Sequence, residues 1–164
     1  MADPACLALQ IPERLHTEDR KPDPHFGASE WLYRWIAKGY ERKDLVAGFS
    51  LNPGESVNRE RHSKYPADVL CNAKTGKHRV GFAILAFDVR LLRQPFASDQ
   101  QNTTYSYDVV HKPVPRMYPH CEIEVTTGGQ ITTKVPPLVR RTWRDAIVDS
   151  HQRQVLINHA LPTD

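Results

Sequence analysis

Aromatic and apolar side chains alternate in Trp31-Leu32-Tyr33-Arg34-Trp35-Ile36, just after Ser29-Glu30. That period of two predicts a strand, with a helical turn opened by Ser29 as the competing reading. Val80–Phe87 is the most apolar run in the chain, and so short a run suits either a buried strand or a helix. Asp88 is a good N-cap for Val89-Arg90-Leu91-Leu92-Arg93, so the run reads as a buried strand passing into a short helix that stops before Pro95. Tyr105–Val110 and Cys121–Val125 read as two further strands, and after the Gly128-Gly129 turn Ile131–Val135 reads as a third in a meander. Pro136-Pro137 opens a helix to about Ser150 whose apolar stripe is Val139, Trp143, Ala146 and Ile147. Arg140, Arg141 and Arg144 point away from that stripe, and Arg141 is spaced to pair with Asp145. Val155-Leu156-Ile157 is apolar enough to dock as an edge strand.

Between these elements the signals are turns. Gly39 to Gly48 is charged and reads as a loop, Asn52-Pro53-Gly54 and Lys74–Lys77 as turns, and Tyr65–Leu70 as a short helix with Pro66 in its first turn. Residues 1–28 are polar and interrupted by Pro4, Pro12, Pro22 and Pro24, with Leu7, Leu9 and Ile11 as their one apolar cluster. They predict a flexible or surface-wrapped tail of little regular structure ahead of one domain over 29–164. The predicted fold class is α+β: a mainly antiparallel sheet with a long C-terminal helix.

Composition narrows the function classes without choosing among them. A chain of 164 residues, 40% hydrophobic and 25% charged, is large enough for a real core. No apolar run approaches the ~18–20 residues of a membrane span, and no leader-like segment opens the chain, so no membrane partner is expected. Cys6, Cys71 and Cys121 are odd in number and widely spaced, which suits reduced thiols in a cytoplasmic protein better than a disulfide framework. The net charge of +3 is only mildly basic.

Chemistry concentrates in Tyr105–Val125, YSYDVVHKPVPRMYPHCEIEV. Strand parity places Cys121, Ile123 and Val125 on one face and His120, Glu122 and Glu124 on the other. Cys121 is therefore a core residue, while the histidine and carboxylates, beside a loop stiffened by Pro113, Pro115 and Pro119, are the candidate acid–base set. The same three also suit a solvated face of an antiparallel sheet. His111, His120 and Glu122 match no metal-ligand spacing, so no metal is expected. Basic patches at Arg59–Lys64, at Lys74-x-x-Lys77-His78-Arg79, and on the helix face of Arg140, Arg141 and Arg144 suit phosphates. Tyr105, Tyr107 and Tyr118 would then stack on unpaired bases.

Two resemblances follow from these residues. Leu32-Tyr33-Arg34, then Ser50 after Phe49, then Glu122-Ile123-Glu124 resembles the order of elements in arginine–serine–glutamate ADP-ribosyltransferases. That resemblance implies Arg34 and Ser50 on a nicotinamide dinucleotide and Glu124 as the carboxylate beside the ribosyl cation, all lining one cleft. Leu32-Tyr33-Arg34, Ser56-Val57-x-Arg59, His111-x-Pro113 and Pro119-His120 together resemble a loose pattern in small uncharacterised bacterial proteins. It implies a bacterial or phage-related cytosolic protein of unknown activity, with Arg34, Arg59 and His120 as its polar cluster.

With no coherent catalytic set, the leading expectation is a binding module that acts through protein contacts, in a defence or counter-defence setting, without a cofactor. Its contact residues would be drawn from Arg59, His111, Arg116, Tyr118, Arg140, Arg141 and Arg144, with Trp31, Trp35 and Tyr118 as anchors. The alternatives are the ADP-ribosyltransferase-like enzyme, which alone needs NAD, and a nucleic-acid-binding domain.

Overall fold

The computed structural model describes residues 6–8, 11–79, 83–94 and 102–157. Residues 1–5, 9 and 10 of the expected tail, 80–82 of the apolar run, and Pro95 lie outside them. The elements in chain order are β1 (Cys6–Ala8), β2 (Trp31–Ile36), α1 (Arg42–Gly48), β3 (Glu55–Arg59), β4 (Cys71–Asn72), β5 (Lys77–Arg79), β6 (Ala83–Asp88) and α2 (Val89–Leu92). They continue with β7 (Tyr105–His111), β8 (His120–Thr127), β9 (Gln130–Ile131), α3 (Pro137–Asp149) and β10 (Gln154–Ile157). The α+β class holds: a seven-stranded sheet runs β10-β6-β2-β3-β8-β7, with β9 returning on β8, and every pairing is antiparallel. A smaller sheet runs β1-β5-β4.

Parity sorts the large sheet into two faces. Leu32, Ile36, Val57, Leu85, Phe87, Tyr107, Val109, Cys121, Ile123 and Val125 fill one, and α1 and α3 close over them with Leu45, Val139, Trp143, Ile147 and Val148. Tyr33, Ile84 and Ala86 face the other way and are buried with Ala67, Val69 and Leu70, while Trp31 and Trp35 on the same face are covered only in part. Ala67, Val69 and Leu70 belong to a 3-10 turn, Pro66–Leu70, where the short helix was expected. β6 is buried at every position because it is central and covered on both faces. That explains its uninterrupted apolar run. The Asp88 carboxylate accepts the Arg90 backbone N–H at 2.7 Å, capping α2 as expected.

Four local expectations change. Gly39–Gly48 is not all loop: Leu45 is fully buried and Gly48 lies so close to Ile36 that an added Cβ would sit 2.9 Å from its Cγ2. Packing of one apolar stripe on β2 makes this short helix, which local propensity does not announce. The third strand of the meander is confined to Gln130–Ile131. In α3, Val148 is buried where Ala146 was expected, and Ala146 is exposed. Asp145 pairs with Arg144 at 3.2 Å, not with Arg141.

Residues 11–28 hold one 3-10 turn, Glu13–Leu15, and otherwise irregular backbone. They are nonetheless anchored. Ile11 and Leu15 pack with Cys71 and Met117 in a third apolar cluster, and the Leu15 carbonyl accepts the Tyr118 N–H at 2.6 Å. Of the two expected behaviours of the tail, wrapping on the surface is the one seen for this stretch. No helix among the described residues is long and apolar enough to cross a membrane.

Candidate functional site: a basic cleft on the open sheet face

The half-covered face of the large sheet leaves a cleft of about 600 Å³. Its floor is Trp35 of β2, Ser56 and Asn58 of β3, and His120 of β8, all on one face because Tyr33 pairs with Asn58 and Asn58 with His120. One wall is Val69, Cys71, Asn72, Ala73, Lys74 and Arg79; the other is the turn Val114-Pro115-Arg116-Met117.

Arg34 reaches this space by an irregularity. Its parity would turn it toward the helices, but the β2–β3 ladder covers only Leu32↔Arg59 and Tyr33↔Asn58. Where the strands part, the guanidinium spans the gap, donating to the Ser56 carbonyl at 2.9 Å and pairing with the Glu55 carboxylate at 2.9 Å. Arg116 crosses the cleft mouth. It occupies position three of a Val114–Met117 turn with φ of 62°, after Pro115, where such turns favour glycine. The strained residue earns its place by geometry: its Nη2 donates to the Ala73 carbonyl at 2.7 Å, and the bare Cα of Gly76 lets its other nitrogen lie close. Arg79 lies over the Trp35 ring, 4.0 Å from its centroid. Among the described lining residues, Arg34, Lys74, Arg79 and Arg116 are cationic and none is a carboxylate.

The floor carries a fixed serine–histidine pair. His120 Nδ1 lies 2.7 Å from the Lys112 carbonyl, which can only accept, so Nδ1 bears the hydrogen of the neutral ring. Nε2 is then an acceptor, and the Ser56 hydroxyl, 3.0 Å away, donates to it. Cys71 also lines the cleft, but burial pushes its thiol up to about 11, so it stays protonated. Cys121 is fully buried with its thiol likewise pushed up by desolvation, as its parity predicts.

The other expected site residues divide clearly. Glu122 and Glu124 share the His120 face as predicted, but both carboxylates pair with the Lys112 ammonium. Arg34 and Ser50 do meet, on Glu55, whose oxygens take the guanidinium at 2.9 Å and the hydroxyl at 3.3 Å. Arg34 lines the cleft, but neither Ser50 nor Glu124 is among its described lining residues, so the three do not line one cleft. Arg140 donates to the Asn52 side chain, Arg144 pairs with Asp145, and Arg141 is exposed.

Arg59, His111 and Tyr118 are corrected from contact residues to interior ones, at 0%, 3% and 6% exposure. Tyr105 and Tyr107 are buried too, so none of the three tyrosines offers a ring for stacking. Arg59 forks onto Glu30 with two 2.8 Å bonds and donates to the Asp23 and His25 carbonyls, which sews residues 23–30 to β3. His111 Nδ1 accepts the Asp23 N–H at 2.8 Å while Nε2 donates to the Tyr118 carbonyl at 2.6 Å. His62 stacks on His111 and reaches the Asp23 carboxylate at 3.1 Å.

Burial holds His62, His78 and His111 below the ordinary histidine value of 6.5. The unfolded chain therefore binds these protons more readily than the folded one. Their contribution is complete above pH 6.5 and is lost as pH falls below it, before Asp23 and Glu30, whose lowered values act only below 3.8 and 4.5. We expect the urea midpoint to drop between pH 7 and pH 5; a midpoint that stays level there would refute this role for the buried rings.

Sequence reasoning named His120 and Arg34 but missed Ser56 and Asn58 as floor residues. The alternation Ser56-Val57-Asn58 is visible in the sequence, yet its partner His120 is 64 positions away and only the β3–β8 register brings them together. No protein-family model, curated protein or solved structure matches the chain.

Proposed function

We propose that the chain is a binding module whose cleft takes a nucleotide unit, a phosphate joined to a flat ring. The observation that carries this reading is the cleft lining: Lys74, Arg79 and Arg116 around a floor of Trp35, Ser56, Asn58 and His120, with no carboxylate among the described lining residues. Glu55 balances Arg34, but the bonds of Arg116 go to carbonyls, which leave its charge uncompensated. A volume of about 600 Å³ suits a small ligand better than a protein segment. The Arg79–Trp35 stack is a ready platform for a base.

The expectation of a protein partner has less support. Tyr118 is buried, and Trp31 and Trp35 pack against Tyr33 and Ile84, leaving Tyr40, Ile131 and Leu138 as separate exposed apolar side chains. The ADP-ribosyltransferase-like reading lacks its shared cleft. The cytosolic, bacterial or phage-related setting implied by the sequence pattern belongs to this proposal unchanged.

Calorimetric titration with adenosine monophosphate and with a short single-stranded oligonucleotide tests the reading and separates a free nucleotide from a nucleic-acid end. Arg79→Glu and Lys74→Glu should each weaken binding about tenfold, or about 1.4 kcal/mol. If neither probe binds the unaltered chain at millimolar concentration, the proposal is wrong.

A further inference from the structure

Ser56 and His120 are arranged for more than holding a ligand. Ser56 is exposed on the cleft floor, its hydroxyl donates to His120 Nε2 at 3.0 Å, and the Lys112 carbonyl fixes the tautomer from the far side at 2.7 Å. The fixing group is itself rigid, because the Lys112 N–H donates back to the His120 carbonyl at 3.2 Å. A nucleophile, a base within hydrogen-bond reach and a third group that orients the base are the three parts of an activated hydroxyl. Here the orienting group is a neutral carbonyl, which holds the ring in place. Both residues share the cleft lining with Lys74, Arg79 and Arg116, where negative charge on a transferring phosphoryl group would be stabilised. The ion-paired Glu122, directly across from Ser56 in the β3–β8 register, points its carboxylate to Lys112 and does not compete for His120.

We propose that Ser56 is a catalytic nucleophile and His120 its general base for hydrolysis of a phosphodiester, a step that rests on the nucleotide-binding reading of the cleft for its substrate class. Ser56 Oγ attacks phosphorus while its proton passes to His120 Nε2. The bond from phosphorus to the leaving oxygen breaks in line with Oγ, on the side away from His120, and that oxygen takes a proton from water, which leaves a hydroxide there. A phosphoserine ester remains. The hydroxide attacks phosphorus from that same side, the Oγ–phosphorus bond breaks, and Oγ recovers the proton held on Nε2. Every bond and proton is accounted for with water as the one co-reactant.

Three measurements on the full chain test the step: nitrophenolate release from bis(p-nitrophenyl) phosphate, labelling by a fluorophosphonate located by peptide mass spectrometry, and titration with adenosine monophosphate. The expected result is release and labelling at Ser56, both abolished in Ser56→Ala, with release at least about a hundredfold slower in His120→Gln. Ser56→Ala alters an exposed side chain, so its circular dichroism and urea midpoint should match those of the unaltered chain. Nucleotide binding with no release and no label above the Ser56→Ala level overturns the catalytic step and leaves the binding reading standing. Label at Ser56 without nucleotide binding has the opposite meaning: the activated serine survives and its assigned substrate class falls. Release that persists in Ser56→Ala also overturns the step.

Discussion

Arg59→Met is expected to lower stability by about 3–5 kcal/mol, enough to unfold much of a marginally stable chain. Arg59 is fully buried, and its donors are matched one by one to Glu30, the Asp23 and His25 carbonyls, and the Asp23 carboxylate at 3.5 Å. The Phe26 ring closes over it at 3.8 Å. Methionine fills much of the volume but leaves the Glu30 carboxylate, 6% exposed, without its counter-charge. The same logic predicts strong coupling. Glu30→Gln should be severe alone, yet Arg59→Met with Glu30→Gln together should cost clearly less than the two costs added, because no buried charge is then left unpaired. Urea unfolding of the four chains measures this, and simple additivity would show that the pair does not act as a unit.

Asp68→Ala should be the second large loss, about 3 kcal/mol, and should also reach the cleft. Asp68 is fully buried, receives both terminal nitrogens of Arg14 at 2.9 and 3.0 Å, and accepts the Tyr65 N–H at 3.2 Å. It therefore joins the N-terminal stretch to the Pro66–Leu70 turn, whose Val69 is part of the cleft wall. Removing the carboxylate leaves a half-buried guanidinium and one uncapped turn. Asp68→Asn keeps one acceptor for Tyr65 and should lose less. Nucleotide titration on Asp68→Asn separates the two effects: binding weaker than in the unaltered chain, with the fold intact, marks the wall as the part that moved. Equal stability of Asp68→Ala and the unaltered chain would exclude this tie.

The two residues also show where sequence reading stops. Arg59 follows Ser56-Val57-Asn58 in a strand whose alternation is plain, but its burial depends on a segment some thirty residues earlier folding back over it. Read locally, it is a basic surface residue in a charged run, and Asp68 is a first-turn carboxylate. The N-terminal stretch shows the same limit. Its composition speaks for a tail, while its fixation comes from individual bonds, Arg14 to Asp68 and the Asp23 N–H to His111, that no periodicity records.

By itself the sequence determined the elements whose physics is local or periodic: the alternation of β2 and β8, the apolar run of β6 with its Asp88 cap, the proline-opened α3, and the division of Cys121 from His120 across a strand. Each depends on side chains a few positions apart, where helix or strand geometry dictates which face they share. Only the tertiary structure decided which of those faces stays open. The β2–β3 ladder stops early, the second face of the sheet is half covered, and register alone sets Ser56 beside His120 among cations drawn from three separate segments. Those contacts join residues far apart in the chain, so their chemistry exists only once the strands have paired.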